Sequence, residues 1–396
     1  MNEIRKLYLF TFFRSFTVFA SVSVAFYNSN GLSYFEIMLL QSVYAVAIAV
    51  LEVPSGMLSD MIGRKKTLVV GSVAFAVAYS CGAFGAGLLM FGLMQIFAAV
   101  GQSCYSGTFL ALMYEDVEHD RSITKSPNAI FSNLQVINLI SVLLAALTSV
   151  IVVKHISMRA TYFITVFMYL LTFVVSLGLK EKQHTCVKKE SYSLKGYFSI
   201  FREGIQTIAK CGFQILLIDM IVFVCFSNVV LYLQQPLLLD RAFPVAYFGI
   251  VSVIVTITTT VALKVFGVLE KRIKQPKRLL SILTMAVIAV LLSNIVIKNS
   301  FWVIMTFSVL AIVMRVREIF IMTEVNRQIS DSSRATVLSI VSAIEMIGIA
   351  VLSAVIGYCE NISLDFSIVV VSLTMLSFYG IICLKNRKES SLLLRE

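Results

Sequence analysis

Twelve apolar runs, each long enough to cross a bilayer, constrain this chain more than any other feature. The first six lie at about 6–27, 33–59, 67–87, 89–113, 127–153 and 158–180. The other six lie at about 213–235, 246–269, 278–297, 301–323, 335–358 and 363–385. A spanning helix needs roughly 20 mostly apolar residues. Inside a bilayer every backbone N–H and C=O must find its partner within the protein, so open-chain segments span as helices. The runs therefore predict an all-α membrane protein of twelve transmembrane helices.

Composition agrees. Of 396 residues, 58% are hydrophobic and only 14% are charged, against about 25% charged in a soluble domain. That much apolar surface exceeds what a core can absorb, so part of it faces lipid. The formal charge of +11 would suggest nucleic acid in a soluble protein. Here the cations cluster between apolar runs, which membrane orientation explains. No nucleic-acid partner is expected.

The loop charges set the orientation. Arg5 and Lys6, the Arg64–Lys66 cluster, Arg121 and Lys125 fall on one side, with most of the remaining loop Lys and Arg. Only Lys154, Arg159, Arg241 and Lys298 fall on the other. Basic loops stay in the cytoplasm, so both termini are expected there. The first run follows Arg5 and Lys6 as a signal peptide would. It lacks a small-residue cleavage site and reads as a retained span. A bacterial inner (cytoplasmic) membrane is the expected location.

Chemistry of other kinds finds no support. The seven cysteines form no C-x-x-C pair, and His119, His155 and His184 have no metal-ligand spacing. There is no G-x-x-x-x-G-K-[ST], no H-E-x-x-H and no nucleophile elbow. No catalytic residue, metal or cofactor is expected, and neither an enzyme nor an ATP-driven pump.

The polar stretch 181–212 divides the runs six and six. The expected domains are a bundle at 1–180, a cytoplasmic linker at 181–212 and a second bundle at 213–396. Duplicated halves with a site between them are a transporter plan. Within the linker, Tyr197, Phe201 and Ile208 share a helical face. They fit an interfacial helix, or equally a loosely ordered connection.

Between the second and third runs the chain reads Gly56-Met-Leu-Ser-Asp60-Met-Ile-Gly63-Arg64-Lys65-Lys66-Thr-Leu. Gly56 would let neighbouring helices approach closely. Gly63 permits a turn with positive φ. Asp60 at the membrane edge can accept hydrogen bonds or pair with a cation. This segment resembles the loop 2–3 signature of the major facilitator superfamily, G-x-L-a-D-r-x-G-r-[kr], in the position that family gives it. The resemblance implies two six-helix bundles working by alternating access. It also implies a gating role for Gly56, Asp60, Gly63, Arg64 and Lys65. Gly31-Leu-Ser, Leu40-Gln-Ser, Glu52-Val-Pro-Ser-Gly56 and Arg334-Ala-Thr-Val-Leu-Ser339 look like a bacterial subgroup of drug and small-molecule efflux permeases. The run 127–153 departs from the antiporter pattern, since it contains no glycine and no proline but Pro127.

Ionisable residues inside spans are costly and are functional candidates by default. Here they are Arg14, Glu52, Asp219, Lys264, Arg315, Arg317, Glu318 and Glu345. Arg14 lies roughly 12 Å from its cytoplasmic end at helical rise. Glu52 has similar depth on the next helix, so the two are expected to pair. Arg315 and Glu318 share a helix face. Arg317 points elsewhere, toward the eleventh helix or Glu324. A carboxylate at mid-membrane suits proton coupling, which makes Glu345, Glu52 and Asp219 the candidates. Glu345 could instead be a partner of Arg315 or Arg317. Helices 1, 4, 7 and 10 line the cavity in the superfamily. The resemblance therefore nominates Arg14, Gln102, Tyr105, Asp219, Asn228 and Arg315 to face substrate.

The expected function is secondary transport of a small molecule, with proton-coupled export of a drug-like or antimicrobial compound first. Uptake of an organic anion or nutrient is the alternative, suggested by Arg14 and Arg315. A non-transporting membrane sensor or partner protein is a reading of another class. Expected partners are the substrate, the lipid bilayer and protons, with the chain acting as a monomer.

Overall fold

The computed structural model describes residues 3–119, 127–180, 214–269, 276–328 and 334–392. The linker 181–212, with Tyr197, Phe201 and Ile208, and the loop residues Arg121 and Lys125 lie outside the described residues. Every regular element among the described residues is helical. In chain order these are α1 (Glu3–Ser15), α2 (Ser23–Ser29), α3 (Tyr34–Ile62), α4 (Arg64–Phe84), α5 (Gly87–Tyr105), α6 (Thr108–His119), α7 (Pro127–His155) and α8 (Met158–Leu177). They continue as α9 (Gln214–Tyr232), α10 (Gln234–Asp240), α11 (Phe248–Leu269), α12 (Pro276–Val296), α13 (Ser300–Gln328), α14 (Arg334–Ile362) and α15 (Leu364–Leu392).

Among the described residues, eleven of the expected spans are long and apolar enough to cross a membrane. The remaining one is α13, whose 29 residues are interrupted by Arg315, Arg317 and Glu318. This set of helices is consistent with the twelve runs. Large apolar side chains stand exposed along them, among them Leu89 at 85%, Val296 at 82% and Phe84 at 76%. In water such a surface would be an aggregation liability; in a bilayer it is the lipid face.

The chain forms two compact units. The first comprises Met1–Leu32, Val43–Tyr192 and Pro244–Val253; the second comprises Ser33–Ser42, Ser193–Phe243 and Ile254–Glu396. Each has its own core. In the first, Leu7, Phe10, Leu68, Leu112, Met113 and Ile130 pack together. In the second, Leu217, Met220, Ile321, Val325, Val337 and Val341 do so.

Among the described residues three spans are discontinuous: the first, the fourth, which breaks at Ser106–Gly107 between α5 and α6 with Gly107 at φ 41°, and the seventh. The first run is not one helix. It is α1, a 3-10 turn at Val18–Val22, and α2. The backbone groups released at the break are met by side chains. The Val18 N–H donates to Thr165 Oγ1 at 3.1 Å, and the Ser141 hydroxyl donates to the Phe12 carbonyl at 2.5 Å. Such re-satisfaction is what lets a helix break inside a bilayer. The seventh run breaks likewise at Leu233, between α9 and α10. Interrupted helices in matching positions of two halves point toward a binding site.

Candidate functional site

In the first unit the site is built around Arg14, one residue from the end of α1. Its Nη2 donates to Gln102 Oε1 at 2.8 Å. Its guanidinium lies 3.3 Å from the centre of the Tyr105 ring and 5.9 Å from that of Phe75. Arg14 Nε is buried without a hydrogen-bond partner among the described residues. Tyr44 and Tyr169 are within electrostatic reach of the same charge. A cavity of about 10 Å³, the room of about one water, adjoins it. Phe10, Ser72, Gly101 and Thr172 are among its lining residues.

Glycines bring these parts together. A Cβ on Gly71 would lie 3.0 Å from Cys104 Cβ, and one on Gly101 would lie 2.6 Å from the Phe75 ring. Only bare backbone lets α4 and α5 approach this closely, which places Gln102 and Tyr105 over Arg14. From there stacked rings run through the unit. Phe75 lies 4.7 Å from Tyr169, and Tyr79 lies 5.1 Å from Tyr169 and 4.7 Å from Phe19.

Three residues nominated separately by the sequence, Arg14, Gln102 and Tyr105, thus meet. The expected Arg14–Glu52 pair is corrected: the hydrogen bond goes to Gln102, and Glu52 has its contacts elsewhere. Equal depth fixes height along the membrane normal but not the direction in which a side chain points.

In the second unit Arg317 is 0% exposed and Asp219 is 6% exposed. Arg317 Nη2 donates to Asp219 Oδ1 at 2.6 Å. The guanidinium also sits 3.8 Å from the centre of the Phe223 ring. Asp219 and Phe223 are four residues apart on α9 and so present one face. Arg317 Nε and Nη1 are buried without a partner among the described residues. The expectation that Arg317 faces the eleventh helix or Glu324 is therefore corrected; it turns to the seventh span. Arg315 turns outward instead and pairs with Glu318 at 2.8 Å, with side chains 55% and 44% exposed.

The other candidates are placed as follows. Glu345 is half-buried on α14, and its backbone carbonyl accepts from Cys225 Sγ at 3.4 Å. It has a further contact, while among the described residues Arg315, Arg317 and Arg327 pair with Glu318, Asp219 and Glu324. Asn228 is exposed and donates to the Val224 carbonyl one turn back at 3.0 Å. Lys264 is exposed on α11.

The α3–α4 turn carries the loop signature. Gly63 has φ 95°, the left-handed region that the motif reading required. Its carbonyl accepts from both the Thr67 N–H and the Thr67 hydroxyl. Asp60 and Arg64 each have a partner, and Lys65 is half-buried beside them. Arg64, Lys65 and Lys66 sit at the positive end of the α4 dipole, where cations are disfavoured. Membrane orientation accounts for them better than helix stability does. The reading of Gly56 is corrected: among the described residues nothing lies within 4 Å of where its Cβ would be, so no close approach by one of them depends on it.

One buried acid was missed. Glu360 is 4% exposed near the end of α14. The apolar run ends at about residue 358, whereas the helix continues to Ile362.

Comparison with known proteins gives a consistent result. The model of the Major Facilitator Superfamily matches residues 7–384. An uncharacterised transporter of Buchnera aphidicola is 21% identical over 328 residues, covering 81% of this chain and 80% of that protein. A crystal structure of the nucleoside transporter NupG superposes with a TM-score of 0.77 at 13% identity, over 97% of this chain and 98% of that one. A POT family transporter bound to a thioalcohol-conjugated peptide gives 0.73 at 15% identity, over 97% and 96%.

Proposed function

The chain belongs to the Major Facilitator Superfamily, and from that premise we propose that it couples proton movement to small-molecule transport by alternating access. As a member it is a multi-pass membrane transporter of small molecules and not an enzyme. Its setting is consistent with a bacterial inner membrane. The observation that carries the coupling is the buried Asp219–Arg317 pair. Protonating Asp219 would remove the charge that compensates Arg317. The pair would then loosen, because an uncompensated buried charge costs several kcal/mol. Such a contact has two states and is a means of tying proton binding to conformation. Glu345 and Glu52 stand behind Asp219 as acids on the proton route. The Gly63 turn with Asp60, Arg64 and Lys65 serves as the cytoplasmic gate. The protein works as a monomer.

Export of a drug-like or antimicrobial compound is the first reading of direction. It is supported by the likeness of Gly31–Gly56 to efflux permeases. Uptake of an organic anion or nutrient is the second. A specific observation favours it: Arg14 stacks on Tyr105 and bonds an amide, with no carboxylate within ion-pair distance among the described residues. Its guanidinium is then available to a substrate's negative group, with Gln102 and Tyr105 beside it. The similar solved structures are transporters of nucleosides and peptides, which fits this second reading.

Transport of a compound panel into inverted and right-side-out vesicles, with and without an imposed proton gradient, separates the two. Gradient-dependent accumulation only in inverted vesicles is the expected result for export. Accumulation only in right-side-out vesicles replaces it with uptake. Accumulation indifferent to the gradient removes the coupling.

A further inference from the structure

Glu360 has no part in the transport reading, yet its surroundings are unusual for an acid. It is 4% exposed, and its Oε1 has no hydrogen-bond partner among the described residues. It lies where the start of α3 docks on the end of α14, both within the second unit. Three contacts make that seam, and a fourth, from Tyr232, ties α3 to α9. The Phe35 N–H donates to Asn361 Oδ1 at 3.0 Å. Ser42 Oγ donates to the Ala350 carbonyl at 2.7 Å. Tyr232 donates its hydroxyl to Gln41 Oε1 at 2.7 Å. Gly357 leaves room for Met38, whose Cβ is 2.5 Å from where a Gly357 Cβ would stand.

No cation offsets Glu360 among the described residues. From α3 it is approached by Tyr34, which also feels Asp240 at the end of α10. Glu36 is bonded to Ser33. On its own helix the neighbour is Cys359. On α9, Asp219 is held by Arg317, and Tyr232 by Gln41. Arg241 donates to Asn294 and Asn299. Lys298 is bound to Asp365 at the start of α15. A metal ion is not the partner either, since no group of three ligand side chains occurs among the described residues.

An ionised carboxylate in such a place costs several kcal/mol, whereas a neutral carboxyl costs far less. We propose that Glu360 is a proton-binding site at the α3–α14 seam, and that the docked arrangement holds the neutral acid. On docking, a carboxylate oxygen takes a proton from water and an O–H bond forms. On undocking, that bond breaks and the proton returns to water. Docking and protonation are then linked: acid favours the docked start of α3, and base favours its release. One linked proton changes the docking equilibrium by up to tenfold per pH unit.

Hydrogen–deuterium exchange of the full chain in lipid nanodiscs reads this without knowledge of the substrate. The probe is protons alone. After correction for intrinsic rates, segment 33–42 should lose protection as pH rises, and Glu360→Gln should abolish that dependence while keeping the segment protected. Protection independent of pH in the unmodified protein, or the same dependence in Glu360→Gln, overturns the proposal. Should Glu360→Gln fail to fold, Glu360→Asp is compared by infrared spectroscopy. The carbonyl band of a neutral carboxyl should be present in the unmodified protein and displaced in Glu360→Asp. A band identical in both overturns it equally.

Discussion

Arg14 and Arg317 are cations inside apolar spans, one in each unit, and they are treated in opposite ways. Arg317 is fully buried and held at 2.6 Å by Asp219. Arg14 is held by an amide and an aromatic ring, with Nε left over. Their surroundings differ as well. A run of stacked rings lies in the first unit, and Phe226 and Phe378 pair in the second. A cation neutralised by an acid is satisfied as it stands, and changes only when the acid takes a proton. A cation held by a ring and an amide keeps its net charge and can attract an anion from outside. One unit thus suits coupling and the other suits recognition.

Removing Arg317 tests the difference most severely. Arg317→Met leaves Asp219 buried without its cation, and the cost should be about 3–5 kcal/mol, read as thermal unfolding in detergent. Joining it with Asp219→Leu should recover most of that loss, because no lone charge then remains. A single variant as stable as the parent would place the pair in water. Next comes Gly101→Ala, whose Cβ would enter the Phe75 ring at 2.6 Å. Overpacking of this kind costs about 1–3 kcal/mol, and transport should fall with it as Gln102 and Tyr105 move off Arg14.

Arg14→Lys should cost only about 1–2 kcal/mol, since a stacked cation and one charged hydrogen bond are altered. Transport should nonetheless be lost, because the planar group that spans Gln102 and Tyr105 is gone. Equal transport by the lysine variant would remove Arg14 from recognition. The smallest effect belongs to Arg315→Gln. Its exposed pair with Glu318 should be worth about 0.2–1 kcal/mol, and a loss of several kcal/mol would show the pair to be buried in lipid.

What could be read from the sequence follows a physical boundary. Twelve runs were legible because length and apolarity are properties of the segment itself. Gly63 was legible because a left-handed φ is local to its turn. Gly56 was not, since room for a Cβ depends on neighbours that the motif does not describe. Arg315 and Arg317 lie two positions apart and so point to opposite sides of one helix. Choosing which faces inward needs the rotation of α13, and apolar flanks on both sides withhold it. Arg14 and Glu52 shared a depth but not a direction. The break at residues 16–17 has no glycine or proline to announce it, whereas Pro236 just after Leu233 does announce the other. At the first break, hydroxyls of Ser141 and Thr165 from other helices meet the released groups; at Leu233, Pro236 removes the N–H that the carbonyl one turn back would accept. Glu360 lay just beyond an apolar run and so passed for loop.

Proton movement accompanying substrate movement tests the central claim most directly. Proteoliposomes enclosing a pH-sensitive dye, challenged with the compound that the vesicle panel identifies, provide the reading. The account expects substrate-driven pH change in the parent protein. In Asp219→Asn it expects none, while substrate still binds and Arg14 is intact. An undiminished pH change in Asp219→Asn, with the variant folded, would contradict it.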